Sequence, residues 1–415
     1  MSKVLPFRGL LPKREFVKEV ASPPYDVIDS DEARRRTQNN PNSFLHVIKP
    51  EVDLDPSINP YDPLVYQKAK ENLSALISRG VLYQLEKPCF YIYKQIMGNH
   101  QQTGLVACVA VDEYLNGQIR KHEHTQEEKV RDRINLIQTL NAQTGPVFLI
   151  YRNNERLSGI FQQCTQIKPI YDFVADHSVR HIFYVIDNDE LIQNFQEAFE
   201  EIDYLYIADG HHRSEAAAQV CLLKRAENPK YLGNEEYNFF LAVIFPHSEM
   251  SILPCNRIIK SLNGYSTSEL FIEKVQQRFS LNPMETEFFQ PTEPHIFGMY
   301  IDNKWYAIKL KDEHMSFSNP VESLDVSILQ KYLFEPILNI TNPRRDKRLE
   351  FVGGLNSVQK VKQLVDSGKF ALGFSLYPIT IEQIMEVADA GLVMPPKSTW
   401  FEPKLLSGLV THLLD

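Results

Sequence analysis

Apolar positions along the chain change period several times, and each change marks an element. Over residues 64–79 (LVYQKAKENLSALISR) they recur at helical spacing and stop before Gly80, which predicts an amphipathic helix with a glycine cap. Over 89–121 the period drops to two. CFYIYKQI alternates, Met97-Gly98-Asn99-His100 turns, and LVACVAVDEY answers as an antiparallel strand. Short apolar runs at 146–151 (PVFLIY), 181–186 (HIFYVI), 204–208 (YLYIA) and 239–246 (FFLAVIFP) read as buried strands. Thr125-Gln126-Glu127-Glu128 has the form of a capping box and opens a helix to about residue 140; 189–200 is amphipathic, and HHRSEAAAQVCLLKRA reads as a further helix. After residue 246, HIFGMYI, KWYAIKL and FALGFSLYP read as strands, and 323–333, 357–367 and 381–388 as helices. In the Pro-rich first 60 residues, Pro23-Pro24 excludes a helix and predicts a rigid extended loop, with a short helix starting near Ser30. Strands and helices mix without strict alternation, so the expected class is α+β. The length, 415 residues, predicts two regions: a catalytic one at 1–246 and a smaller α+β one at 247–415.

Composition narrows the partners. Hydrophobic residues make up 43% and charged residues 23%, a globular balance, and the net charge is -9. An acidic chain lacks the basic footprint that nucleic acid or an anionic membrane surface requires, so neither is expected as a partner. The five cysteines, Cys89, Cys108, Cys164, Cys221 and Cys255, show no CxxC spacing, and the first residues show no apolar leader. A reducing, cytoplasmic setting is the expectation. A homodimer stays open.

Five polar constellations carry candidate chemistry. In Asp209-Gly210-His211-His212-Arg213 an apolar strand stops, Asp-Gly turns, and a helix begins with Asp209 as the expected N-cap. The positive helix end and Arg213 suit a phosphate, and two imidazoles add proton transfer or metal ligation. A capped helix with two surface histidines is the plain alternative. Lys121-His122-Glu123-His124 precedes a helix that carries Arg133, and offers an imidazole beside a carboxylate. Ser22-Pro23-Pro24-Tyr25-Asp26 can present Tyr25 and Asp26 from a stiff loop. Asn141-Ala142-Gln143-Thr144-Gly145-Pro146 is a polar turn before a buried strand. At the C-terminus, Lys397 and Lys404, among Ser, Thr, Trp400 and Phe401, suit phosphate oxygens. The chain has no GxxxxGK[ST] loop, no GxGxxG after a first strand, no HExxH and no GxSxG, so a phosphotransferase here is not built on a P-loop.

Seven stretches resemble one family: VLPFRGLLP (4–12), VASPPYDVI (20–28), NPNSFLHVIKPE (40–51), IRKHEHT (119–125), NAQTGPVFL (141–149), IADGHHR (207–213) and MPPKSTWFEPKLLSGL (394–409). It is the bacterial and archaeal domain-of-unknown-function 1015 family. The DGHHR stretch is in addition similar to the motif of the archaeal free-serine kinase, whose nucleotide domain is ParB/sulfiredoxin-like. That resemblance implies a ParB/sulfiredoxin-like core and phosphoryl transfer from ATP, or ADP, with Mg2+ to the hydroxyl of free L-serine or a similar small metabolite. Gly210, His211, His212 and Arg213 would then hold the phosphates, with Lys121, Arg133 and Lys397 offsetting charge. Asp209 would bind Mg2+ or orient a histidine. Glu123, by analogy with the acidic base of that kinase, would accept the hydroxyl proton beside His122. Arg8, Tyr25, Asp26 and Thr144 are the candidates for gripping the acceptor. Two other readings compete: a metal-dependent hydrolase using the His/Asp/Glu groups, and a non-catalytic nucleotide-binding module.

Overall fold

The computed structural model describes residues 2–415. By its internal contacts the chain divides into two units. Residues up to Lys121, then 125–250 and 403–415, form the first; residues 122–124 and 251–402 form the second.

Among the described residues, the first unit is built on a mixed nine-stranded sheet. Eight strands run in the order Ile119–Arg120, Leu205–Asp209, Val147–Tyr151, Phe239–Pro246, His100–Ala110, Phe90–Met97, Arg180–Ile186, Tyr171–Val174, and Val4–Leu5 adds to His100–Ala110. Leu205–Asp209 is parallel to Ile119–Arg120, and Phe239–Pro246 to Val147–Tyr151; the other neighbours are antiparallel. Met97 pairs with His100, so Gly98-Asn99 is a two-residue hairpin loop, with Gly98 at φ 58. The alternation that predicted this hairpin sorts its side chains. Phe90, Ile92, Leu105, Ala107 and Val109 join one core with Leu157, Phe195, Phe199 and Ala217 from the helices Glu155–Cys164, Asp189–Glu200 and His211–Glu227. The opposite parity carries polar tips: the Tyr91 hydroxyl donates to the Phe7 carbonyl and accepts from the Gly9 amide, and the Tyr93 hydroxyl lies 2.6 Å from Nδ1 of His181. Each large apolar side chain fully buried here stabilises by about 1.5–3 kcal/mol. A second apolar cluster joins helix Pro63–Ser78 (Tyr66, Ala69, Leu73) to Phe44 and to Leu136 and Leu140 of helix Glu127–Leu140.

The second unit holds a six-stranded antiparallel sheet in the order Phe279–Met284, Lys304–Leu310, Ile296–Ile301, Leu372–Leu376, Cys255–Ile259, Leu349–Gly353. Helix Ser357–Asp366 packs on it through Val358, Val361 and Val365.

Several expectations are corrected. Residues 111–115 are a helix, Val111–Leu115, rather than the end of a strand, because Val111 and Tyr114 reach the core at i,i+3 spacing. The capping box at Thr125 does not form: the helix begins at Glu127, and its N-cap, Gln126, makes no side-chain cap bond. Residues 323–333 give only Asp325–Leu329 and a π turn, Gln330–Phe334. Helices Glu155–Cys164 and Ser268–Gln276 and strand Phe279–Met284 were not predicted, although Leu157, Ile160, Phe161 and Cys164 recur at helical spacing behind the Asn154 cap. The five cysteines are buried and free. Among the described residues no helix is long and apolar enough to cross a membrane.

Candidate functional site

Strand Leu205–Asp209 is pinned between two neighbours, and it bulges just before its end. Ile207 faces Leu149 and Asp209 faces Phe148, so two residues advance on one strand against one on the other. Such a bulge re-aims the next side chain. The carboxylate of Asp209 lies 3.0 Å from the ammonium of Lys404, with Nη2 of Arg213 at 3.9 Å. Burial alone would raise its pKa, but Lys404, Arg213 and His211 outweigh burial and hold Asp209 well below the usual carboxylate range. Asp209 is therefore an ion pair's anion, and the expected N-cap role falls elsewhere. The cap is Gly210, at φ 98, and no side chain caps the helix. A Cβ at Gly210 would sit 3.1 Å from Cζ and Nε of Arg213, so glycine here both permits the left-handed turn and leaves the guanidinium its place.

Helix His211–Glu227 starts at that turn. His211 is buried. Nε2 of His212 accepts the backbone N–H of Gln126 at 3.0 Å, so that nitrogen carries no proton. Nη1 of Arg213 donates to the carbonyl of Pro146, which ties the helix to the NAQTGP turn. That turn is itself fixed, since Gln143 donates to the Phe239 carbonyl at 3.1 Å and accepts from the Leu241 amide at 2.6 Å.

The C-terminal stretch closes the arrangement within the same unit. Ser22 and Ser407 exchange backbone hydrogen bonds of 3.0 and 2.8 Å, Leu10 and Thr411 exchange a pair of 2.9 Å each, and His412–Leu413 pairs with Ala142–Gln143. Behind Lys404, Nε2 of buried Gln95 donates to the Lys404 carbonyl at 2.9 Å. Stretches far apart in sequence, SPPY, NAQTGP, DGHHR and KLLSGL, thus meet in one place.

A cavity of about 30 Å³ lies among them. Tyr25, Arg133, Thr144, Gly145, Arg213 and Ser407 line it, and Leu136, Val147 and Phe240 supply apolar wall. The Arg133 guanidinium stacks 3.9 Å over the Tyr25 ring and holds Asp132 at 2.5 Å, and Asp132 also accepts from the Tyr66 hydroxyl at 3.0 Å. Burial, with Asp26 next, pushes the Tyr25 hydroxyl well above its ordinary pKa, so it stays protonated.

The remaining candidates have their own surroundings. Arg8 is exposed and donates to the Leu85 carbonyl at 3.2 Å, and Asp26 is exposed. The Lys121 ammonium lies 4.4 Å over the Tyr114 ring. His122 and Glu123 belong to the second unit, where the Met394 amide donates to the His122 carbonyl at 2.8 Å. Lys397 is exposed in the second unit too; the lysine that reaches Asp209 is Lys404. Ser407 stood only inside a family-like stretch, whereas Lys404 and Gly145 also stood in polar stretches that the sequence singled out. The only hard oxygen donor shown at the turn is the ionised Asp209 carboxylate. It suits Mg2+, which takes one or two carboxylates and completes its shell with phosphate and water. Among the described residues no three His, Cys, Asp or Glu side chains gather to hold a metal ion.

Residues 4–327 match the family described as protein of unknown function (DUF1015), and the chain belongs to that family. No curated protein matches. Solved structures similar to it include a free serine kinase in complex with AMP, at TM-score 0.36 and 15% identity, covering 71% of this chain and 86% of that one. A conserved hypothetical protein from Pyrococcus furiosus aligns at TM-score 0.35 and 17% identity, over 71% and 90% of the two chains. SbnI with a C-terminal truncation, from Staphylococcus aureus, aligns at 0.36 and 11%, over 72% and 85%.

Proposed function

We propose that this DUF1015 protein is a phosphotransferase that moves a phosphoryl group from ATP, or ADP, to the hydroxyl of free L-serine or a similar small metabolite. The reading includes a ParB/sulfiredoxin-like descent for the nucleotide-handling part of the first unit. One observation carries it: at a left-handed glycine opening a 17-residue helix, an ionised Asp209 stands between Lys404 and Arg213. Two cations flank the one carboxylate at a positive helix end, a setting that suits a polyphosphate. Phosphoryl transfer asks for little beyond positioning and charge stabilisation, which this group supplies.

In this reading Gly210, His211, His212 and Arg213 hold the phosphates, and Lys404 steadies the charge. Asp209 would hold Mg2+, which when bound neutralises phosphate charge. His212, unprotonated at Nε2, is fixed by Gln126. Glu123 accepts the hydroxyl proton of the acceptor. The test is incubation of the purified chain with ATP or ADP, Mg2+ and L-serine, followed by mass spectrometry. O-phosphoserine is expected, and its absence with both donors overturns the reading.

A further inference from the structure

The phosphate-handling turn does not account for the cavity beside it. We propose that this cavity binds the carboxylate of a small organic acid. Its identification with the α-carboxylate of the acceptor rests on the transfer reaction above; carboxylate binding itself does not.

Size comes first. About 30 Å³ is room for two water-sized groups, at roughly 10–15 Å³ each, and so for the two oxygens of a carboxylate but not the four of a phosphate. Charge comes second. Arg133 is neutralised by Asp132 at 2.5 Å. Arg213 is not balanced in the same way, because its nearest carboxylate, Asp209 at 3.9 Å, is held closer by Lys404 at 3.0 Å. Third, Nε of Arg213 is buried and has no hydrogen-bond partner. A buried donor left without an acceptor costs about 1–3 kcal/mol, and more when charged, so the group missing from this place is an acceptor. Thr144 and Ser407 add hydroxyls to the lining, and the apolar wall strengthens any ion pair formed against it. A planar two-oxygen anion beside a guanidinium fits all of this; a cation would face Arg213, and an apolar guest would leave its Nε without an acceptor.

Gly145 supplies the test. A Cβ there would lie 3.6 Å from Cδ of Arg213 and 3.9 Å from Oγ of Ser407, ordinary contacts, on backbone without a positive φ. Gly145→Ala therefore folds as the parent does and takes up the vacant space. Calorimetric titration of the full chain without nucleotide would compare acetate and L-serine with acetamide and L-serinamide. The acids are expected to bind at least about tenfold more tightly than the amides, and Gly145→Ala is expected to weaken acetate by a similar factor at unchanged melting temperature. Equal binding of acid and amide, undiminished acetate binding by Gly145→Ala, or no binding of either acid to the parent overturns the proposal. Acid-selective binding without any O-phosphoserine overturns the kinase reading alone. Phosphorylation of serinol as efficiently as L-serine overturns the identification with the acceptor's α-carboxylate alone.

Discussion

Two carboxylates, one in each unit, have opposite fates. Asp325 opens the short helix Asp325–Leu329 of the second unit. Its Oδ1 accepts the His295 amide at 2.8 Å, while Oδ2 is buried with no partner. Burial pushes its pKa up to about 7, and the single amide offsets only part of that. Asp209 in the first unit also meets the burial penalty, yet Lys404 and Arg213 overturn it. Burial by itself makes an acid; burial with two cations makes a permanent anion. The second arrangement maintains a charge with cations of opposite sign around it, which suits a site for phosphates.

The comparison breaks most visibly at Asp209. Asp209→Asn removes the anion and leaves Lys404 and Arg213 facing each other. O-phosphoserine formation is expected to fall by about 100-fold or more, the usual cost of a preorganised charged group. Melting should drop as well, and Asp209→Asn/Lys404→Met should recover part of that drop, because the unpaired lysine is gone. A double variant no more stable than the single one would show that the two residues do not act as a pair.

Asp325 gives the opposite pH signature. Its folded pKa is raised, so between about 4 and about 7 the folded state binds more protons than the unfolded one, and stability falls as pH rises. Asp209, depressed, contributes stability that is present above the unfolded value near 4 and is lost only in strong acid. Asp325→Asn should thus be close to neutral at pH 4 and stabilising at pH 8, by on the order of 2–4 kcal/mol from the size of the shift. Urea denaturation of both proteins across that range measures the difference. A gap that does not grow with pH would place the titration elsewhere.

The legibility of the chain follows the same divide. Elements whose residues pack by period, such as Pro63–Ser78, Phe239–Pro246 and Asp189–Glu200, stand in the sequence within a residue or two. The Asp209–Arg213 turn was legible because a strand, a glycine and a helix are consecutive. Its N-cap was misassigned: an aspartate before a helix looks the same whether it caps or pairs, and Lys404 is 195 residues away. That Lys404 is the lysine paired with Asp209 was hidden for that reason also. No local pattern tells which lysine is anchored by Gln95. The run Phe351-Val352-Gly353-Gly354 likewise takes its meaning from a residue distant in sequence. Its glycines leave space for an indole, since a Cβ at Gly353 would meet Cε3 of Trp400 at 2.2 Å. Gly353→Ala is accordingly expected to destabilise the second unit by about 1–3 kcal/mol, the cost of overpacking. Thermal melting checks it, and an unchanged melting temperature would mean that Trp400 does not hold this position.

The smallest effects test how much of Asp209's charge depends on Lys404. Lys404→Met leaves Arg213 at 3.9 Å, so the carboxylate keeps one cation and the full burial penalty. Its pKa should rise toward the behaviour of Asp325, and transfer should fall by about tenfold, one lost charge-assisted contact. Lys404→Arg keeps the charge but exchanges a compact ammonium for a planar fork, so the loss should be only several-fold, on the order of 1 kcal/mol or less. The acid limb of the pH–rate profile separates the two substitutions. With methionine it moves to higher pH, because protonation of Asp209 then competes nearer neutrality; with arginine it stays. If both variants move the limb equally, geometry rather than charge at Lys404 governs Asp209, and its contrast with Asp325 rests on Arg213.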